Sequence, residues 1–125
     1  MCSCEARAAT WVRADLYYIP WIAETFVALP PQAVREWASS GTTGRVIHIT
    51  SAQRLQELLN ILQLSRLRPE RGCSQDWRLV VDLFASDGTR LSVGSSHGSA
   101  LCMLDNLSSH RTGNRFRNYF ERLAP

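Results

Sequence analysis

Lysine is missing altogether: all fourteen Lys/Arg cations of this 125-residue chain are arginine. Arg codons are GC-rich and Lys codons are not, so a GC-rich genome accounts for the bias; selection for planar, multi-donor guanidinium groups at an interface is the alternative. Long apolar runs are missing too, none approaching the ~18 residues that a membrane-spanning helix needs. No glycine-rich phosphate loop, nucleophile elbow or zinc pattern is read. Cys2-Ser3-Cys4 is spaced C-x-C, and neither Cys73 nor Cys102 has a second Cys or a His two to four residues away. No metal or cofactor is therefore expected. The net charge of +3 is too mild to predict a nucleic-acid partner by itself.

What is present is an ordinary globular composition, with 45% apolar and 20% charged residues. A chain of this length buries roughly two-thirds of its unfolded surface, enough for one conventional core. We read residues 1–10 as a flexible lead and 11–125 as a single domain, without repeats or linkers.

The cysteines raise the question of compartment. The opening CSCEARAA resembles the mature start of a processed bacterial lipoprotein, a Cys followed by small or polar residues, which would make Cys2 the lipid-bearing position. That resemblance implies a periplasmic or envelope location, with the cytoplasm as the alternative. In an oxidising compartment Cys73 and Cys102 are the candidates for a disulfide, and closing that loop contributes about 3.5 kcal/mol in the chain-entropy model. In a reducing one both are ordinary semi-buried thiols.

Local patterns then predict an α+β fold, a four- or five-stranded, mainly antiparallel sheet with three helices packed largely on one face. Residues 12–19 read as a strand stopped by Pro20, and ETFVAL as its extension or a short second strand. LPPQAVREWASSG predicts a short helix that buries Trp37 and stops at Gly41. RVIHIT is a strand, after which Thr50 caps a helix with the apolar stripe Leu55, Leu58, Leu59 and Leu62, ending at Pro69.

The segment DWRLVVDLFASDGTRLSVGSS is a hairpin. A three-residue loop of Ser86, Asp87 and Gly88, with Gly88 left-handed, pairs Leu83 with Leu91 and Val81 with Val93. It gathers Trp77, Leu79, Val81, Leu83, Leu91 and Val93 on one face and leaves Arg78 and Asp82 on the polar one. ALCML is a further strand, and Phe116, Tyr119, Phe120 and Leu123 give the last helix an aromatic stripe.

Chemistry is less legible. His48, His97 and His110 each invite a pairing with a Cys or an Asp, but no local signature surrounds them. Of Asp82, Asp87 and Asp105, only Asp82 lies inside a strand and asks for a partner, and Arg90 stands diagonal to it. Arg111 and Arg115 flank a helix start, where added cations suit a negative partner. Tyr17 and Trp21, in YYIPW beside a candidate edge strand, are amphipathic anchors of the kind found at protein interfaces.

The expected function is therefore a non-enzymatic domain that binds another protein, an immunity protein or inhibitor neutralising a toxin or hydrolase in the envelope. Its candidate contacts are Tyr17, Trp21, Arg111 and Arg115, and membrane attachment would come only through the N-terminal lipid. Nucleic acid is not the expected partner. The alternatives are a small enzyme using a His with Cys or Asp, and an anion- or nucleic-acid-binding module at the Arg-rich loop.

Overall fold

The structure is a computed structural model that describes residues 10–20, 28–40, 43–68, 76–96, 100–104, 109–111 and 113–123, the side chains of residues 110 and 113–116 excepted. Its elements in chain order are β1 (Trp11–Tyr18), α1 (Pro31–Ser39), β2 (Arg45–Ile49), α2 (Ala52–Leu62), β3 (Leu79–Ala85), β4 (Arg90–Ser95), β5 (Ala100–Met103), β6 (Ser109–Arg111) and α3 (Gly113–Leu123). A 3-10 turn, Leu64–Arg66, follows α2. The strands form one sheet in the order β2-β1-β3-β4-β5-β6, every neighbouring pair antiparallel. The α+β architecture expected from the sequence is thus present: five strands of four residues or more, a three-residue β6 added at one edge, and three helices.

The hairpin formed by β3 and β4 has the expected register, Leu83 opposite Leu91 and Val81 opposite Val93. Gly88 takes φ +91°, and Ala85 N–H donates to Thr89 O at 2.8 Å to close the three-residue loop. Leu79, Val81, Leu83 and Val93 are consequently buried on one face, together with Leu55, Leu58 and Leu62 of α2 and Tyr119 and Phe120 of α3. The leucine helix and the ribbon close over each other, and α3 adds an edge-to-face Tyr119–Phe120 pair, 5.2 Å between centroids.

α1 departs from its companions and lies on the opposite face. There Val34 and Ala38 join Ile19, Trp77, Val80 and Cys102, with Tyr17, Leu29, Trp37 and Val46 packed around them. Trp77 belongs to this second cluster and not to the first, because it precedes the strand and is not bound by its alternation. Its ring covers Gly94, where a Cβ would meet the Leu79 carbonyl oxygen. Trp37 is only half-buried, its indole N–H donating to Thr43 Oγ1 at 2.8 Å.

Two helix boundaries differ from expectation. Ser51, one residue beyond Thr50, is the N-cap of α2 and accepts from Arg54 N–H at 3.4 Å. The helix ends well before Pro69, because Gln63 turns left-handed at φ 48°.

Candidate functional site

Covering both faces of the sheet changes the status of its polar residues. Asp82 points away from the α2 and α3 side, as expected, but not into water: it is 3% exposed, and Arg78, just before β3, is 6% exposed. Arg78 is held at the start of β3 by Asp76, Nη1 to Oδ1 at 2.7 Å. Asp82 sits in a row that crosses four strands of the α1 face. His48 on β2 is opposite Asp15 on β1, Asp15 opposite Asp82 on β3, and Asp82 opposite Ser92 on β4.

Two carboxylates directly opposite each other repel, so this row requires cations. Asp82 receives the fork of Arg35 from α1, Nε to Oδ2 at 3.1 Å and Nη2 to Oδ1 at 2.9 Å, and Ser92 Oγ donates to Oδ1 at 2.6 Å. Arg90, the partner expected from the sequence, approaches only to 4.0 Å. Asp15 is served by His48 Nδ1 at 2.7 Å and by Arg13 Nη2 at 3.4 Å. A carboxylate accepts, so the imidazole donates from Nδ1 and its Nε2 remains an acceptor in the neutral ring.

The rows on either side differ sharply. On one side lie Val46, Tyr17, Val80, Gly94 and Cys102, the apolar floor under α1. Tyr17 is half-buried there, and its phenol is pushed above the ordinary value by burial first and by Asp15 and Asp82 next, with Arg35 and Arg13 opposing. On the other side lie Arg13, Phe84 and Arg90, opposite one another on β1, β3 and β4. The Arg13 guanidinium rests 4.1 Å from the Phe84 ring centroid, a cation–π contact worth about 0.5–1 kcal/mol where exposed. The side chains of Arg13, Arg90 and His48 are 48%, 53% and 66% exposed. α1 therefore covers half of this face and leaves an aromatic-centred cationic half open.

A bulge shapes this open half. Trp11 and Arg13 pair with the adjacent residues Ala85 and Phe84, so Val12 is the extra residue and is exposed. The shift turns Trp11 to the α2 and α3 side while Arg13 stays over Phe84.

The residues singled out in the sequence are dispersed. Tyr17 lies under α1, whereas Arg111 is exposed on β6, with β3, β4 and β5 between their strands. The Arg-rich stretch before the last helix is partly a strand: Ala100 pairs with Arg111, and Arg68 and Ser109 exchange backbone hydrogen bonds at 2.7 and 3.0 Å. Arg115 is in the first turn of α3, its side chain outside the described set, as is that of His110. Cys2, Cys4, Trp21, most of ETFVAL, Gly41, Cys73, His97 and Asp105 lie outside the described residues. Cys102 is disulfide-bonded, to a cysteine that is also outside them.

Sequence reasoning missed Arg13, Asp15, Arg35 and Phe84. Only the strand register brings the first, second and fourth together, and Arg35 and Asp82 are 47 positions apart. The letters Gly-x-Ser-x-Gly also occur, at 94–98. β4 there turns back into antiparallel β5 instead of entering a helix, so this is not the strand-to-helix elbow of a serine hydrolase. Among the described residues no three metal-ligating side chains converge, and a groove of about 640 Å³ between α2 and α3 is lined by Ile61, Asn118, Glu121 and Arg122. No protein-family model matches the chain, and neither a curated protein nor a solved structure does.

Proposed function

We propose that the protein is a non-enzymatic binding domain that grips another protein with the open half of the α1 face. The role that fits is an inhibitor or immunity protein neutralising a toxin or hydrolase in the cell envelope. The observation that carries this reading is the row Arg13–Phe84–Arg90, two exposed arginines flanking a half-buried ring, with His48 beside it. Arginine and aromatic rings are the side chains that dominate interface energetics. Those side chains are positioned before any partner arrives, Arg13 by the ring beneath it and His48 by Asp15, which lowers the ordering cost of association. The disulfide at Cys102 supports an oxidising compartment.

The test is capture by the full chain from the envelope fraction of cells that make it. A single partner bound one-to-one, whose activity falls in proportion to added protein, is the expected result. Failure to bind any partner stoichiometrically contradicts the reading.

A second reading rests on the 2.7 Å contact between His48 and Asp15, an exposed imidazole held by a buried carboxylate, the arrangement of a general base. Substrate turnover abolished by His48→Ala in a folded protein would select it over the first.

A further inference from the structure

We infer, resting on the contact-domain reading, that the partner presents an acidic segment, two of whose carboxylates are taken by Arg13 and Arg90 on either side of Phe84. The unspent donors of these two arginines carry the inference. Arg90 has one ionic partner among the described residues, Asp82 Oδ1 at 4.0 Å, beyond hydrogen-bond reach. That oxygen already accepts from Arg35 Nη2 at 2.9 Å and Ser92 Oγ at 2.6 Å. Arg13 comes no nearer to Asp15 than 3.4 Å, Nη2 to Oδ2, while Asp15 Oδ1 is taken by His48. A guanidinium carries five N–H donors in a fixed fork, so both arginines keep most of theirs for a partner.

The acid pair beneath them positions the cations without cancelling them. Arg13, Arg35 and Arg90 stand against Asp15 and Asp82, three positive groups to two negative before His48 is counted. The nearest further acid on the hairpin, Asp87, turns its carboxylate back onto Thr89 N–H at 2.9 Å.

Spacing selects the ligand. Arg13 and Arg90 lie on β1 and β4 with β3 between them, so their backbones are roughly 10 Å apart at about 4.8 Å per strand. A single phosphate does not span that gap. Carboxylates at i and i+2 of an extended segment are roughly 7 Å apart, and two long arginine stems absorb the difference. The backbone between the two carboxylates then lies over Phe84, which stands between Arg13 and Arg90 in the row.

The test uses the full, isotope-labelled chain and a short synthetic peptide of Asp and Glu, with an Asn/Gln peptide of the same length, inorganic phosphate and a single-stranded oligonucleotide as comparisons. The acidic peptide is expected to shift the Arg13 and Arg90 Nε–H signals and the Phe84 ring signals saturably, and the amide peptide to leave them in place. The pair Arg13→Gln with Arg90→Gln is expected to weaken the peptide at least about tenfold, while Arg66→Gln with Arg117→Gln leaves it unchanged. Perturbation spread evenly over Arg54, Arg66, Arg117 and Arg122, or phosphate or oligonucleotide binding more tightly than the peptide, overturns the inference. If a stoichiometric natural partner binds the Arg13→Gln/Arg90→Gln chain as tightly as the unaltered one, this inference falls and the contact-domain reading stands. The unaltered chain failing to hold any partner removes the latter.

Discussion

Arg35 on helix α1 holds both oxygens of Asp82 on strand β3, Nε to Oδ2 at 3.1 Å and Nη2 to Oδ1 at 2.9 Å, across 47 positions of sequence. This pair marks the border between the covered and the open halves of the sheet face. Its side chains are 17% and 5% exposed, so the carboxylate has exchanged nearly all its water for Arg35 and Ser92.

Removing one partner leaves a buried charge unpaired. Arg35→Ala is expected to destabilise the protein by about 3–5 kcal/mol, read as a lower urea midpoint. Replacing both partners, Arg35→Met with Asp82→Leu, is expected to cost less than Arg35→Ala alone, because no orphaned carboxylate remains.

Two glycines are required for different reasons. At Gly94 an added methyl group meets the Leu79 carbonyl and, at 3.3 Å, the Trp77 ring, so Gly94→Ala is expected to cost about 1–3 kcal/mol through displaced backbone. At Gly88 nothing lies within 4 Å, and only the left-handed φ of +91° opposes a side chain. Gly88→Ala is therefore expected to cost about 1 kcal/mol. Thermal unfolding of the two variants measures the difference.

The hairpin was legible because its evidence is local. Asp87-Gly88 and alternating apolar residues admit few registers, and only one pairs Val81 with Val93. The last helix was legible for the same reason, its aromatic spacing putting Tyr119 and Phe120 on one stripe. The helix over 31–39 was also readable, but its amphipathic stripe carries no label for which face of the sheet it will cover. Asp82 accordingly read as a surface residue awaiting Arg90, and Arg35 as an unremarked helix position. The open contact row was unreadable because Arg13, Phe84 and Arg90 become neighbours only through pairing of β1 with β3. The Val12 bulge, which determines how Trp11 and Arg13 face, has no composition signal.

Burial raises the phenol of Tyr119 above its ordinary value near 10, Glu57 adding to the effect while Arg122 and Arg54 oppose it; Tyr17 is raised as well. The unfolded chain loses these protons near pH 10 and the folded chain only at higher pH. Between the two values the unfolded state binds fewer protons, so stability falls as pH rises and is fully retained below about pH 10. Tyr119→Phe is expected to flatten the decline in a series of urea midpoints from about pH 8 to 11.

The disulfide at Cys102 ties β5 to a segment outside the described residues. We propose Cys73 as its partner. Peptide mapping without reduction is expected to recover the two cysteines in one cross-linked species, and Cys102→Ser to lower stability by about 2–4 kcal/mol. A cross-link to Cys2 or Cys4 would contradict the pairing.

Because every non-histidine side-chain cation is an arginine, the contact face can be read by arginine-selective chemical modification with mass spectrometry, comparing the free chain with its stoichiometric complex. Strong shielding of Arg13 and Arg90 is expected on complex formation, with Arg66, Arg117 and Arg122 still reactive. Shielding confined to Arg117 and Arg122, or equal reactivity of all five in the complex, would contradict it.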